Sequence, residues 1–408
     1  MSALAGHRVV ELGVWVAGPS TAALMADWGA DVVKVEPPAG DPFRDLFGAL
    51  GYRPTTPNAP FALDNRGKRS IALDLRRPEG QDVLERLLSG ADVFVTNLRP
   101  RALERLGLDP DATLRRHPRI VYAAITGYGL SGPDRDLPAY DVGPFWARSG
   151  MALQLVPPGQ PPPPIRGGMG DHATALGAVA AILAALLERT RTGRGRVVDV
   201  SLLRTGAFLM GWDLGIQMAL GKVAPATART ASATPLLNCY LSGDGRWFFL
   251  TGLEADRHFP HLLRAIDRPD LAEDPRFATA KERRRHGGEL VAELDVVFGS
   301  RTMDEWAERF ERDQVWWAPV QTLEEVTTDP QLRAQHGFVP VRFPDGQVEE
   351  SVAAPVAFAA SEDPKPVIVP AVGEHSRQIL EEAGYDDEEI GALVDAGIVP
   401  PGTSPVTT

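Results

Sequence analysis

Short apolar runs alternate with longer amphipathic stretches over the first 125 residues of the chain. The runs are rich in Val and Ile and have the length of buried strands. The stretches between them carry helix signals, such as Pro at the start and Gly after the end. Strands are predicted at 8–12, 31–36, 70–75, 92–96 and 120–125, and helices at 20–28 and 78–88. This alternation is typical of an α/β domain in which helices flank a parallel sheet.

The pattern changes beyond residue 130. Residues 130–170 predict a loop, and residues 224–235, rich in Ala, Thr and Pro, predict a linker. Further elements are predicted as strands at 196–200, 237–240, 247–250, 339–343 and 347–350, and as helices at 172–188, 257–266, 303–312, 374–382 and 387–396. The mixed pattern after the linker indicates a smaller α+β domain.

The most apolar stretch, residues 173–187, is 15 residues long and ends at two charged residues, Glu188 and Arg189. A bilayer span needs about 20 apolar residues, so we expect a buried helix and no membrane partner. The N-terminus has no basic segment followed by an apolar run, so no targeting signal is expected.

Composition narrows the class of protein. A chain of 408 residues favours two domains, and 44% hydrophobic with 24% charged residues is ordinary for a globular protein. The net charge of -12 argues against a nucleic-acid partner. The single cysteine, Cys239, excludes an intramolecular disulfide and a thiolate metal site, so a cytoplasmic location is expected.

Positive charge is concentrated in one segment. Residues 65–116 hold 11 Lys/Arg and 8 Asp/Glu, a balance of +3, which leaves -15 for the remainder of the chain. Only this segment offers an anionic small molecule a local excess of positive charge. The chain has no G-x-G-x-x-G, P-loop, H-E-x-x-H or G-x-S-x-G motif, and its eight histidines lack metal-ligand spacing. No metal site is predicted, and no histidine is given a role.

Three motifs carry a chemical signal. The A-G-P sequence at 17–19 predicts a strand-to-helix turn, and on this evidence alone a plain turn is favoured over one whose free N–H groups bind an anion. The arginines of 64–77 and 97–105 have the spacing to clamp phosphates or to form a solvated basic surface. Asp171, before the apolar helix, is predicted as its N-cap or as a carboxylate nucleophile that the helix dipole and N–H bonds hold ionised.

With these motifs the chain resembles the class III CoA-transferases, the CaiB/BaiF family that includes formyl-CoA transferase and the α-methylacyl-CoA racemases. The shared motifs are A-G-P, G-A-D-V-V-K-V-E, N-R-G-K-R-S-I-A-L-D-L, N-L-R-P-R-A-L-E-R-L-G, Y-D at 140–141, G-D at 170–171 and R-T-G-R-G-R-V-V-D-V. The resemblance is specific over residues 6–200 and weaker over 236–400.

The resemblance implies a CoA-transferase whose nucleophile is Asp171. A mixed anhydride and then an aspartyl-CoA thioester would form on this residue, with acyl-CoA and a carboxylic acid as substrates and no tightly bound cofactor. The resemblance also implies that CoA is contacted by Val16, Ala17, Leu73, Asp74, Leu75, Arg76, Asn97, Leu98, Arg99, Arg105, Pro138, Ala139, Tyr140 and Asp141.

The family fold implies a Rossmann-like large domain built from N- and C-terminal segments and a smaller α+β domain. The corresponding boundaries are 1–223 for the first part of the large domain, 224–330 for the linker and small domain, and 331–408 for the segment that returns. The family also implies a homodimer of interlocked rings, for which the 40 Gly and 36 Pro would suit long connections.

The chain departs from the family pattern at two places. Pro37 and Pro38 follow Glu36 where some members carry an Arg that contacts CoA, and Arg44 is the candidate replacement. The segment 242–247 stands where the formyl-CoA branch has a glycine-rich lid, so an oxalate/formate substrate pair is not expected.

Two other functions remain possible alternatives to a transferase. The racemase branch uses a His–Asp pair, but here Tyr140 precedes Asp141, and a tyrosine, with an ordinary pKa of about 10, is a poor base at neutral pH. The second alternative is a non-catalytic acyl-CoA binding protein, in which Asp171 serves only as a helix cap.

Overall fold

The computed structural model describes residues 2–53, 57–358 and 366–400. The chain divides into two compact units. The first contains the described residues of 1–152, 163–223 and 333–408, and the second contains 153–162 and 224–332.

A six-stranded parallel sheet forms the centre of the first unit. Its strands are β1 (Arg8–Leu12), β2 (Asp31–Glu36), β3 (Arg69–Ala72), β4 (Val93–Thr96), β5 (Val121–Thr126) and β6 (Val197–Ser201). They lie in the order β3-β2-β1-β4-β5-β6, the order of a doubly wound dinucleotide-binding fold. The predicted α/β fold with a parallel sheet is confirmed.

Helices cover both faces of this sheet, because successive side chains of a strand point to opposite faces. The helices up to residue 223 are α1 (Ala17–Asp27), α2 (Leu46–Ala49), α3 (Ala59–Asn65), α4 (Pro78–Ser89), α5 (Pro100–Arg105), α6 (Pro110–Arg116), α7 (Met151–Gln154), α8 (Met169–Thr192), α9 (Leu202–Leu209) and α10 (Gly211–Leu220), and not all of them contact the sheet. Val9 points to the face covered by α1 and α8, whereas Val10 points to the face covered by α4 and α5.

The second unit is built on an antiparallel sheet of β7 (Leu237–Leu241), β8 (Trp247–Thr251) and β9 (Trp317–Pro319). Its helices are α11 (Ala255–Ala265), α12 (Asp270–Glu273), α13 (Ala280–Arg285), α14 (Gly287–Phe298), α15 (Met303–Arg312) and α16 (Leu323–Thr328), and α17 (Pro330–Ala334) follows. The predicted linker contains a 3₁₀ turn, Arg229–Ala231, and Arg229 pairs with Asp295 of α14 at 2.7 Å. That ion pair ties the segment to the second unit.

The chain then returns to the first unit. β10 (Phe338–Arg342), β11 (Val348–Val352) and β12 (Val367–Ile368) form a small sheet, and α18 (Ser376–Glu382) and α19 (Asp387–Asp395) complete the chain. Ile379 and Ile390 of these helices are buried in the same core as Val10.

Two predicted elements differ from the structure. The predicted loop at 130–170 contains a π-helical turn, Val142–Ala147, and α7. The apolar helix α8 has 24 residues, because it begins at Met169 and ends at Thr192. By length and composition alone, α8 is the one helix of the described chain that could cross a membrane. In this fold it packs against α1, β5 and β6.

Candidate active site

A crevice lies where β1 and β4 end. The connections that leave these neighbouring strands run to opposite faces of the sheet, and doubly wound folds bind ligands at this place. A cavity of about 360 Å³ occupies it, within the usual range for small-molecule sites. Its lining is formed by Val14, Trp15, Val16, Ala17, Asn97, Leu98, Arg99, Ile125, Thr126, Gly127, Pro138, Ala139, Tyr140, Asp171 and Leu202.

Side chains from elsewhere in the fold hold the turn after β1. The Asn97 amide donates to the Val14 carbonyl at 2.6 Å and accepts from the Val14 N–H at 3.0 Å. Trp15 adopts a left-handed backbone conformation with φ of 64°, which is strained for a residue with a side chain. Its N–H donates to Asp41 at 3.1 Å. These bonds fix the backbone that lines the cavity.

A buried ionic cluster bonds to the backbone of this turn. The Lys34 ammonium donates to Glu11 and Asp41, each at 2.9 Å, and to the Gly13 carbonyl at 3.2 Å. Lys68 donates to the other oxygen of Glu11 at 2.6 Å, and all four charged side chains are buried. Burial, aided by repulsion from Lys34, lowers the pKa of Lys68 to about 8 despite its bond to Glu11.

Ion pairs within the fold involve three of the cations in residues 64–77, the segment that the sequence predicts to clamp phosphates or to form a solvated surface. Arg66 pairs with Asp27, Lys68 with Glu11 and Arg69 with Asp31. Each partner lies earlier in the chain than residue 64, so these three cations pair with carboxylates of the fold and are not free for a ligand, whereas Arg76 and Arg77 are exposed.

Asp171 lies in the first turn of α8 and forms part of the cavity wall. It is not the predicted N-cap. Gly168 is the N-cap in a left-handed conformation, and Asp141 accepts the Gly170 N–H at 3.1 Å. Burial and the carboxylates of Asp141 and Asp64 raise the pKa of Asp171 to about 7, whereas His172 opposes the rise. Burial and the neighbouring carboxylates therefore act against the expectation that the helix dipole and N–H bonds hold Asp171 ionised.

The glycine before Asp171 has a steric cause. A Cβ at Gly170 would lie 2.6 Å from the Phe145 ring and 2.8 Å from the Asp141 Cβ. Only glycine fits this position, and Gly170 thereby lets the first turn of α8 approach the π-helical turn closely.

A histidine that the sequence analysis left without a role stands beside Asp171. His172 Nε2 lies 2.9 Å from a carboxylate oxygen of the buried Asp64, which belongs to α3. Burial works against charge on the ring. The hydrogen bond to Asp64 and the nearby carboxylates of Asp171 and Asp141 nevertheless raise the pKa of His172.

A second cavity of about 540 Å³ adjoins the first, because Val14 and Leu98 line both. Its remaining lining includes Pro37, Pro38 and residues 73–76. The surface is mainly aliphatic. Arg76 is exposed and pairs with Asp74 at 2.7 Å, and this bond lowers the pKa of Asp74 to about 2.

The predicted contact residues separate into three groups. Val16, Ala17, Asn97, Leu98, Arg99, Pro138, Ala139, Tyr140 and Asp171 line the first cavity, and Leu73, Asp74, Leu75, Arg76 and again Leu98 line the second. Arg105 is exposed on α5, and Asp141 is buried behind Gly170.

Three arginines near the cavities differ in their availability. Within residues 2–53, 57–358 and 366–400, Arg99 and Arg105 form no ion pair. Arg44, the candidate replacement for a family arginine, pairs with Glu36 at 2.7 Å and is not available to a ligand.

Several lining residues of the first cavity belong to none of the predicted contact residues. Trp15, Ile125, Thr126, Gly127 and Leu202 lie at the carboxyl ends of strands or just after them. Strand ends are the signal that points to such residues, once the strand order is known. Across the described ranges no group of three or more His, Cys, Asp or Glu residues is placed to hold a metal ion.

Comparison with known proteins identifies the family. A family model described as CoA-transferase family III matches residues 4–376. The chain is 31% identical over 402 residues to an (R)-2-hydroxy-4-methylpentanoate CoA-transferase of Clostridioides difficile, which covers 97% of this chain and 99% of the relative. It is 32% identical to a cinnamoyl-CoA:phenyllactate CoA-transferase of Clostridium sporogenes, with 95% of each chain covered.

The structural comparison agrees. A crystal structure of a CaiB/BaiF family protein from Brucella suis matches with a TM-score of 0.81 at 29% identity, and covers 94% of this chain and 99% of the other. The chain therefore belongs to CoA-transferase family III, as the sequence motifs predict. Its relatives at this identity are CoA-transferases over their full length, so the prediction of a CoA-transferase enzyme is confirmed.

Proposed function

We propose that Asp171 is the nucleophile that carries the acyl group and then CoA during transfer. The observation that carries this proposal is the position of the carboxylate, half-buried in the wall of a cavity at the switch point of the sheet. A carboxylate removed from bulk water is poorly solvated and is a better nucleophile than an exposed one.

The reaction proceeds through two covalent intermediates on Asp171. The Asp171 carboxylate attacks the thioester carbonyl, a C–O bond forms, the C–S bond breaks, and CoA leaves as a thiolate. The thiolate then attacks the aspartyl carbonyl of the mixed anhydride, which releases the donor acid as a carboxylate. An acceptor carboxylate attacks the aspartyl-CoA thioester, and the same two steps in reverse produce the new acyl-CoA.

The two adjoining cavities supply room for acyl-CoA. The thioester lies in the first cavity beside Asp171, and the nucleotide portion lies along the aliphatic second cavity. Arg99 lines the first cavity and Arg105 is exposed on α5, so both guanidinium groups are available to phosphates. Arg76 reaches a phosphate only by exchanging its present bond to Asp74.

The cavity lining favours acyl groups with apolar side chains, whereas other relatives of similar identity are named for the dicarboxylic acids succinate, glutarate and D-citramalate. Trp15 and Tyr140 pack edge to face at 5.8 Å and line the cavity together with Leu202. Two relatives are named for (R)-2-hydroxy-4-methylpentanoate and for cinnamate and phenyllactate, acids with branched or aromatic side chains. A panel of carboxylic acids, with cinnamoyl-CoA as the donor, tests this choice. Transfer only to short dicarboxylic acids would contradict it.

A transfer assay with variants of Asp171 tests the nucleophile. The wild-type enzyme and the variants Asp171→Asn and Asp171→Ala are given an acyl-CoA donor and an acceptor acid, and the new acyl-CoA is measured by chromatography. In both variants the rate of transfer is expected to fall by at least about 10³-fold, because the nucleophile has been removed. Transfer at the wild-type rate in Asp171→Ala would exclude the mechanism.

The racemase alternative has a separate readout. Exchange of the Cα hydrogen of a 2-methylacyl-CoA in deuterium oxide, without transfer to an added acid, would favour racemization. The non-catalytic alternative predicts acyl-CoA binding with neither reaction.

The active molecule is a homodimer. Phe208, Trp212 and Met218 of α9 and α10 expose 82%, 84% and 81% of their surface, an apolar face that a second copy of the chain would cover. Light scattering of the wild-type protein and of a Phe208→Glu/Trp212→Glu variant tests this state. A wild-type monomer would contradict it.

A further inference from the structure

Three carboxyl groups and one histidine lie near the N-terminus of α8. Asp171 lies on the helix itself, Asp141 comes from the preceding π-helical turn, and Asp64 comes from α3. Burial and mutual repulsion disfavour three negative charges in so small a space. A cation must therefore balance them if Asp171 is to attack as a carboxylate.

His172 is a group at this place that becomes a cation when its ring is protonated. His172 follows Asp171 in the chain, and its ring lies against Gly168, where a Cβ would be 3.1 Å from the ring carbon Cε1. Nε2 is held by Asp64 at 2.9 Å. The ring is thereby fixed at two edges, with Nε2 within hydrogen-bond distance of an Asp64 carboxyl oxygen.

The other neighbouring charges do not replace His172. Lys68 lies behind Asp64, but its ammonium donates to the carbonyl of Asp64 and to the carboxylate of Glu11. Around the N-terminus of α8, α1 contributes the uncharged Val16 and Ser20. The other neighbour, α9, contributes the apolar Leu202 to the cavity.

We propose that His172, anchored on Asp64, is the positive group that keeps Asp171 ionised for attack, and so acts as a positioning residue of the active site. This inference rests on Asp171 being the nucleophile. The raised pKa of His172 and its opposition to the raised pKa of Asp171 agree with the geometry. In this role His172 acts through Asp171.

The pH dependence of kcat/KM tests the role, between about pH 5.5 and 9.5. The acid limb of the wild-type profile is expected near pH 7, where Asp171 titrates. His172→Gln keeps a hydrogen-bond donor but removes the charge. The acid limb of the profile is therefore expected to move to higher pH by about one unit, and kcat/KM at pH values below the limb falls about tenfold. Activity recovers at high pH. His172→Lys restores a charge and returns the limb to the wild-type position or below.

A histidine variant far from Asp171 serves as the matched control. His117→Gln removes a ring that pairs with Glu85, away from both cavities, and leaves the profile unchanged. An unchanged profile in His172→Gln overturns the inference. So does an equal loss at every pH in His172→Gln and His172→Lys, because that is the behaviour of a purely structural residue.

A second measurement does not depend on the folding of a His172 variant. NMR titration of the imidazole of His172 is compared between the wild-type protein and Asp171→Asn. Loss of the facing carboxylate lowers the pKa of His172, and an unchanged titration overturns the inference. If the wild-type enzyme forms no covalent adduct on Asp171, the proposed function fails, whereas the titration still reports separately on the His172–Asp171 pair.

Discussion

The side-chain amide of Asn97 pairs with the backbone of Val14 through two hydrogen bonds, of 2.6 and 3.0 Å. Asn97 follows β4 and Val14 follows β1, so this pair joins the two strand ends that flank the crevice. The amide cannot offer the same atoms to CoA without releasing the turn. We therefore interpret Asn97 as a residue that shapes the cavity as well as lining it.

Removal of this amide is expected to weaken acyl-CoA binding. Asn97→Ala loses two hydrogen bonds worth roughly 1 kcal/mol each, so the KM for acyl-CoA rises about tenfold while kcat changes less. Asn58→Ala is the matched control, because the Asn58 amide also bonds backbone groups, at Phe43 and Arg44, but does not line either cavity. An unchanged KM in Asn97→Ala, measured by initial rates, would contradict this role.

Lys34 is predicted to be critical for stability. Lys34→Met leaves Glu11 and Asp41 buried without this cation, which costs about 3–5 kcal/mol of unfolding free energy. Urea denaturation at neutral pH measures the change. A loss below about 1 kcal/mol would mean that the cluster is solvated in solution.

Asp171 is predicted to destabilise the fold when it is ionised. Its pKa is about 7 in the folded chain and about 3.9 when unfolded, so the native state binds more protons between these values and stability falls as pH rises through them. Asp171→Asn removes this effect. The variant should be more stable than the wild-type protein at about pH 8.5, by an amount on the order of 1–4 kcal/mol, and nearly equal to it at about pH 4. A gain that does not vary with pH would argue against the raised pKa.

Two glycines of α8 are predicted to respond oppositely to alanine. Gly170→Ala places a methyl group against Phe145 and Asp141, so we expect a loss of about 1–3 kcal/mol and of most transfer activity. Gly177 is exposed, and a Cβ added there would meet no other atom within 4 Å, so Gly177→Ala should raise stability by up to about 1 kcal/mol. Thermal unfolding of both variants distinguishes the two sites, and equal responses would contradict the steric argument.

The sequence predicts the sheet well because its strands are short runs of Val and Ile separated by clear helix signals. β1 and β2 begin and end at the predicted residues, and α15 does so as well. The helix α8 is underestimated, since the polar residues at its ends, such as Thr192, continue the helix without contributing to an apolar pattern.

The candidate site is predicted less completely. Motifs identify Asp171, but they do not show which distant residues meet. Lys68 is part of a basic motif in the sequence, and only the pairing of β1, β2 and β3 places it over Glu11. His172 has no motif at all, and Asp64, its partner, is 108 positions away in the chain. Long-range pairs of this kind require the fold.

The most direct test of the central claim is covalent trapping on Asp171. The enzyme is incubated with cinnamoyl-CoA or succinyl-CoA without an acceptor acid, treated with hydroxylamine and digested, and its peptides are analysed by mass spectrometry. The mechanism predicts a hydroxamate on Asp171 that requires acyl-CoA and is absent from Asp171→Asn. Turnover of the same donor with no modification of Asp171, or with the modification on another residue, would contradict it.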